Sequence, residues 1–151
     1  NNIAVLHAYQ GQIEQAEYYA AKARSASEDK NDIANIATKG LILFRAGSVD
    51  EACIEYEKAM GLAIAARRVD LYLRAYAFLG REICRIDNGM QSLVAEGIDK
   101  ASKVLEKRNM RLPREIALMR EEFRADAQAS EELNQNFASL VESKVEHILV
   151  I

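Results

Sequence analysis

The chain has 151 residues, half of them apolar, with one proline, seven glycines and no tryptophan, which fits one compact domain or a short repeat array. Twenty Lys and Arg against 23 Asp and Glu leave a formal charge of −3, too balanced for nucleic acid or anionic membrane to be the obligate partner. No apolar run approaches the ~18 residues of a membrane span and the start lacks a signal-peptide pattern, so a cytoplasmic chain with no membrane partner is expected. Sparse Pro and Gly disfavour a chain of strands and turns, and no stretch alternates with period two. Apolar spacing predicts helices at about 2–10, 12–27, 31–46, 48–66, 69–87, 90–107 and 114–149. In the fourth, Val49, Ala52, Cys53, Tyr56, Ala59 and Met60 share one face, and Ser48 before two acids is the expected N-cap. Pro113 suits the first turn of the seventh, which either runs through or breaks near Ala127–Ser130 into two nearly collinear pieces. Cys53 and Cys84 match neither a disulfide framework nor a zinc site and read as small buried apolar residues.

The glycines reveal repeats. Gly11 is followed by Ala16 and Ala23, Gly47 by Ala52 and Ala59 at the same offsets, and Gly89 by Val94 and Ala101. A left-handed glycine ends one helix, and small residues let the next approach closely. Upstream lie Ile36-x-x-Lys39-Gly40-x-x-Leu43 and Tyr76-x-x-Leu79-Gly80-x-x-Ile83. Over roughly residues 1–107 the pattern resembles the tetratricopeptide repeat. The resemblance implies an all-α solenoid of about three helical hairpins over 1–112, followed by a capping or dimerising helix over 113–151. Departures are plain: the glycine offsets are 36 and 42, Lys39 stands where the family prefers Leu, and Asp87-Asn88-Gly89 lengthens the third turn. The extra length is expected to extend the helices at Gly61–Arg68. Because Asn1 falls inside the first helix of its repeat, the chain is expected to be a piece of a longer polypeptide.

Reactive groups do not converge, so no enzyme, cofactor or metal is expected. His7 falls at a large-aromatic position of the repeat, and His147 lies near a helix end where an imidazole complements the dipole. Phosphate loops and HExxH, GxSxG or CxxC motifs are missing, and the acid pairs Asp50/Glu51, Glu121/Glu122 and Glu131/Glu132 point in different directions on their helices. The one constellation above background is Arg74, Arg81 and Arg85, whose steps of seven and four make one stripe. The resemblance places them in a concave groove with Val5, Tyr9, Thr38, Leu41, Phe44, Arg45 and Phe78, a surface suited to an acidic peptide or helix. The plainer alternative is a solvated arginine face. The family's carboxylate clamp is not reproduced, since Thr38 stands where a second Asn belongs.

Residues 113–151 carry eight acids and four bases, leaving −4 there and +1 over 1–112. Leu133, Phe137, Leu140, Val141, Val145 and Ile148 form an apolar stripe that either caps the array or pairs with a second copy, making a homodimer. The basic cluster Lys100, Lys103, Lys107, Arg108 and Arg111 lacks aromatic stacking partners, which disfavours nucleic acid. The expected function is a non-catalytic protein-interaction scaffold that holds a peptide, helix or domain of a partner protein. The alternative is a regulatory or oligomerisation tail of a larger enzyme or nucleic-acid-acting protein, because NIATKGLILFRAG resembles repeat tails of bacterial proteins with an N-terminal nuclease-like domain.

Overall fold

The computed structural model describes residues 1–29 and 32–150, with the side chains at 134, 137 and 148–150 outside that description. The predicted stripe positions Phe137 and Ile148 therefore lie outside the described side chains, as do Leu149 and Ile151. All regular structure among the described residues is helical, in seven helices: α1 (Asn2–Tyr9), α2 (Ile13–Ala26), α3 (Ile33–Arg45), α4 (Val49–Ala65), α5 (Val69–Ile86), α6 (Gln91–Glu106) and α7 (Arg114–Val150). Each falls within a few residues of its predicted span, and α7 runs through Ala127–Ser130 without a break. No helix among the described residues is long and apolar enough to cross a membrane.

Four helices stop by one device. A left-handed residue follows the last turn, and the next amide returns to a carbonyl five residues back. Gln12 N donates to His7 O at 2.9 Å, Ser48 to Leu43, Arg68 to Ala63 and Met110 to Leu105 at the same distance. The left-handed residues are Gly11, Gly47, Arg67 and Asn109, with φ of 75°, 90°, 55° and 55°. Gly89 is a correction to the sequence reading, for its φ is not left-handed and its N–H donates instead to Asp87 Oδ1 at 2.9 Å. Ser48 occupies the N-cap of α4 as expected, with Asp50 and Glu51 in the first turn, but makes no side-chain cap bond, whereas Asp32 caps α3 by accepting from Asn35 N at 3.1 Å.

The chain divides into two compact units, Asn1–Ile83 and Cys84–Ile151. In the first, α1 packs on α2, α3 on α4, and α3 also on both α1 and α2. Ala4, Ala8, Ala16 and Ala20 join Ile36, Leu41, Ile42, Tyr56, Ala59 and Ala75 in one core. The small residues permit close helix approach, and Gly40 is the extreme case: a Cβ there would lie 2.9 Å from the buried Tyr56 ring and 3.3 Å from Ala52 O. Cys53 is only half-buried.

In the second unit α6 packs on α7, burying Val94, Ala95, Ile98 and Leu105 of α6 and Ile116, Met119 and Phe123 of α7. Asp99 ties the pair from the rim, with Arg124 Nη2 at 2.5 Å and Arg120 Nη1 at 3.6 Å. Burial, helped by Asp126 and Asp87, pushes the buried Cys84 thiol above its usual pKa.

Candidate functional site

Three helices of the first unit deliver polar and aromatic side chains to one place. Tyr9 ends α1, Arg45 ends α3, and on α5 Phe78 lies about one turn before the adjacent Arg81 and Glu82. Arg45 is the junction. Its Nε donates to Glu82 Oε2 at 2.7 Å and its Nη2 to Oε1 at 2.9 Å, the two-point geometry of a guanidinium on a carboxylate. The same guanidinium lies 5.0 Å from the centre of the Tyr9 ring, so one side chain links α1, α3 and α5. Arg81 lies 5.3 Å from the Phe78 ring centre.

The electrostatics follow from burial. Glu82 is 1 % exposed and Arg45 15 %, so the pair sits largely out of water. Burial first, reinforced by Glu82, pushes the Tyr9 phenol above its ordinary pKa, while the Arg81 and Arg45 charges pull the other way. Tyr9 Oη is buried with no partner in hydrogen-bonding geometry. Tyr56, more deeply enclosed, is raised well beyond the ordinary tyrosine range, again mainly by burial.

Of the ten residues expected to line a groove, four converge here: Tyr9, Arg45, Phe78 and Arg81, each half-buried and presenting part of its surface. Leu41 and Phe44 instead belong to the interior, at 3 % and 6 % exposure, because the helix face they occupy is the one α3 turns inward. Arg74 and Arg85 are exposed on α5, and Arg85 falls in the second unit. Thr38 is buried and spends its hydroxyl on Ala34 O at 2.9 Å. His7 stacks on Tyr19, centroids 5.3 Å apart and planes 2° from parallel, with Nδ1 bonded to Gln12 Oε1, a packing role.

Sequence reasoning missed Glu82. The signal was in the repeat register. Aligning Leu79-Gly80 on Lys39-Gly40 puts Glu82 on Ile42, an interior position, so a carboxylate there demanded a cation. Elsewhere, a cleft of about 250 Å³ between α2, α3 and α4 is edged by the Lys39–Glu55 ion pair. No group of three or more His, Cys, Asp or Glu among the described residues is placed to hold a metal. No family model, no curated protein and no solved structure matches the chain.

Proposed function

We propose that the chain is a tetratricopeptide-like helical-repeat module that binds an acidic peptide or helix of a partner protein, without catalysis, over the Tyr9–Arg45–Phe78–Arg81 cluster. The observation that carries this reading is the convergence of those four side chains from α1, α3 and α5. Two further features support a stack of hairpins: α3 packs against both helices of the preceding pair, and Gly40 admits Tyr56 where the repeat demands a small residue. The chemistry of recognition divides between two kinds of contact. The Arg45 and Arg81 guanidinium groups supply the positive charge that an incoming carboxylate meets, and the Phe78 and Tyr9 rings supply apolar area.

Affinity capture from the source cell tests the reading, comparing wild type with Arg81→Glu and Phe78→Ala. Both substitutions are expected to deplete the same partner, and unchanged recovery removes the cluster from the argument. Phe44→Ala is a poor probe, because it hollows the interior. A second reading, an assembly or regulatory module of a larger protein, is favoured by one comparison. Leu6 is 58 % exposed, whereas Ile42, 36 residues on in the repeat register, is 4 % exposed, which leaves α1 with an apolar face suited to a further helix.

A further inference from the structure

The turn between α6 and α7 gathers charge of one sign. Residues 100–115 hold six bases, Lys100, Lys103, Lys107, Arg108, Arg111 and Arg114, against the acids Glu106 and Glu115, so the segment carries +4 and the rest of the chain −7. Backbone bonds fix its shape: Arg108 N and Met110 N both donate to Leu105 O at 2.9 Å, Asn109 turns at φ 55°, and Ala117 N donates to Pro113 O at 3.0 Å where α7 begins. All six bases are exposed. Lys100 is joined to Glu96, but no ion pair among the described residues takes up Lys103, Lys107, Arg108, Arg111 or Arg114. The acids next along α6 are themselves engaged, Glu96 by Lys100 and Asp99 by Arg124, and on α7 the next acid after Glu115 is Glu121. Seven residues of helix put Glu121 about 10 Å from Arg114, roughly one Debye length at 0.1 M salt, so the turn presents its own charge and not the chain's net −3.

Two apolar side chains interrupt the bases. Val104, between Lys103 and Lys107, is 55 % exposed, and Met110, between Arg108 and Arg111, is 48 % exposed. A phosphodiester backbone offers these apolar groups nothing, and residues 100–115 contain no aromatic ring on which a base could stack. At the surface of an anionic bilayer both halves of the pattern are used, since cations meet the headgroups while apolar side chains leave water at the interface. We propose that the α6–α7 turn is a peripheral docking site for an anionic lipid surface, with Met110 and Val104 entering the headgroup layer. The expected lack of a membrane partner comes from the missing spanning run and the small net charge, and adsorption of this kind depends on neither. The site lies wholly in the second unit and is independent of the Tyr9–Arg45–Phe78–Arg81 cluster.

Flotation of the 151-residue chain with phospholipid vesicles tests the proposal, comparing pure phosphatidylcholine with a mixture containing about one-third phosphatidylglycerol. The chain is expected to float only with the anionic vesicles, and to lose at least about tenfold in affinity between about 0.05 and 0.3 M salt. Each cation near the surface is worth about fivefold, so the Lys103→Glu, Lys107→Glu double variant should bind at least about twentyfold more weakly. Lys58→Glu, exposed on α4, lowers the net charge by the same step as Lys107→Glu alone, yet should leave binding within about twofold of wild type. Met110→Gln changes no charge and should weaken binding about threefold or more. All these positions are exposed, so the far-ultraviolet dichroism should be unchanged throughout. A chain that floats with neither vesicle, or equally with both, overturns the proposal. So does an equal loss from Lys58→Glu and Lys107→Glu, or indifference to Met110→Gln. Retardation of a duplex of about 30 base pairs by a chain that ignores the vesicles also overturns it, and assigns the turn to nucleic acid.

Discussion

Replacing Arg45 with methionine keeps most of the side-chain bulk and removes the fork that grips Glu82. The carboxylate is 1 % exposed and its two bonds to Arg45 are 2.7 and 2.9 Å long, so it has almost no access to solvent as a substitute. Stranding a buried charge in this way costs about 3–5 kcal/mol, and losing the cation over the Tyr9 ring adds about 0.5–1 kcal/mol. Glu82→Met is expected to cost less, about 1–3 kcal/mol, because Arg45 keeps 15 % exposure and reaches water. Removing both charges together should recover most of the loss, since an apolar pair of similar volume serves a buried site about as well. Those expectations give a double-mutant coupling of about 3–7 kcal/mol, of the same order as the about 4 kcal/mol for unit charges 4 Å apart at an effective dielectric of 20. All six tyrosines lie in the first unit and the chain has no tryptophan, so tyrosine fluorescence during urea denaturation reports that unit alone. Additive single-mutant effects, or a cost under about 0.5 kcal/mol for Arg45→Met, refute the reasoning.

Gly40→Ala drives a methyl to within 2.9 Å of the Tyr56 ring and should cost about 1–3 kcal/mol by the same fluorescence assay; a neutral result means that Tyr56 yields. Gly47→Ala meets nothing within 4 Å, so its expected loss of about 1 kcal/mol is purely conformational, at φ 90°. The mirror experiment is Arg67→Gly, which relieves a left-handed arginine at φ 55° and should stabilise by about 0.5–1 kcal/mol in thermal melts; destabilisation assigns the Arg67 side chain a contact of its own. Alkaline titration follows from the raised phenols of Tyr9 and Tyr56. A group whose folded pKa is raised contributes stability that is complete below its unfolded value, about 10 for tyrosine, and is lost as pH climbs beyond it. Tyr9→Phe should flatten that decline; an unchanged slope above pH 10 argues against Tyr9 as a contributor.

Helix positions were legible because the interior is built on period 3.6 and the stops at Gly11 and Gly47 use the residue that reaches positive φ without strain. The stops at Arg67 and Asn109 use the same geometry with residues that do not advertise it, so their kind of turn was hidden though the helix ends were not. The cluster was half legible. Register found Tyr9, Arg45, Phe78 and Arg81 on three separate helices. It misassigned Leu41 and Phe44, since a groove position and an interior position one residue apart on a helix differ by only 100° of rotation. Glu82 escaped for a different reason, because reading polar residues as exposed discards the rare carboxylate whose partner arrives from 37 residues away. Exposure of the distal α7 stripe was invisible to pattern alone, because an apolar face looks the same whether or not anything covers it.

Glu82 also acts as a resident competitor. It answers the Arg45 fork from inside the molecule, as a tethered acid whose effective concentration no soluble peptide matches. On the proposed function, an acidic partner docking beside it would find that guanidinium already neutralised, which would mute the salt dependence of binding. Selectivity at this surface would then shift from how much charge a ligand carries toward where it carries a carboxylate.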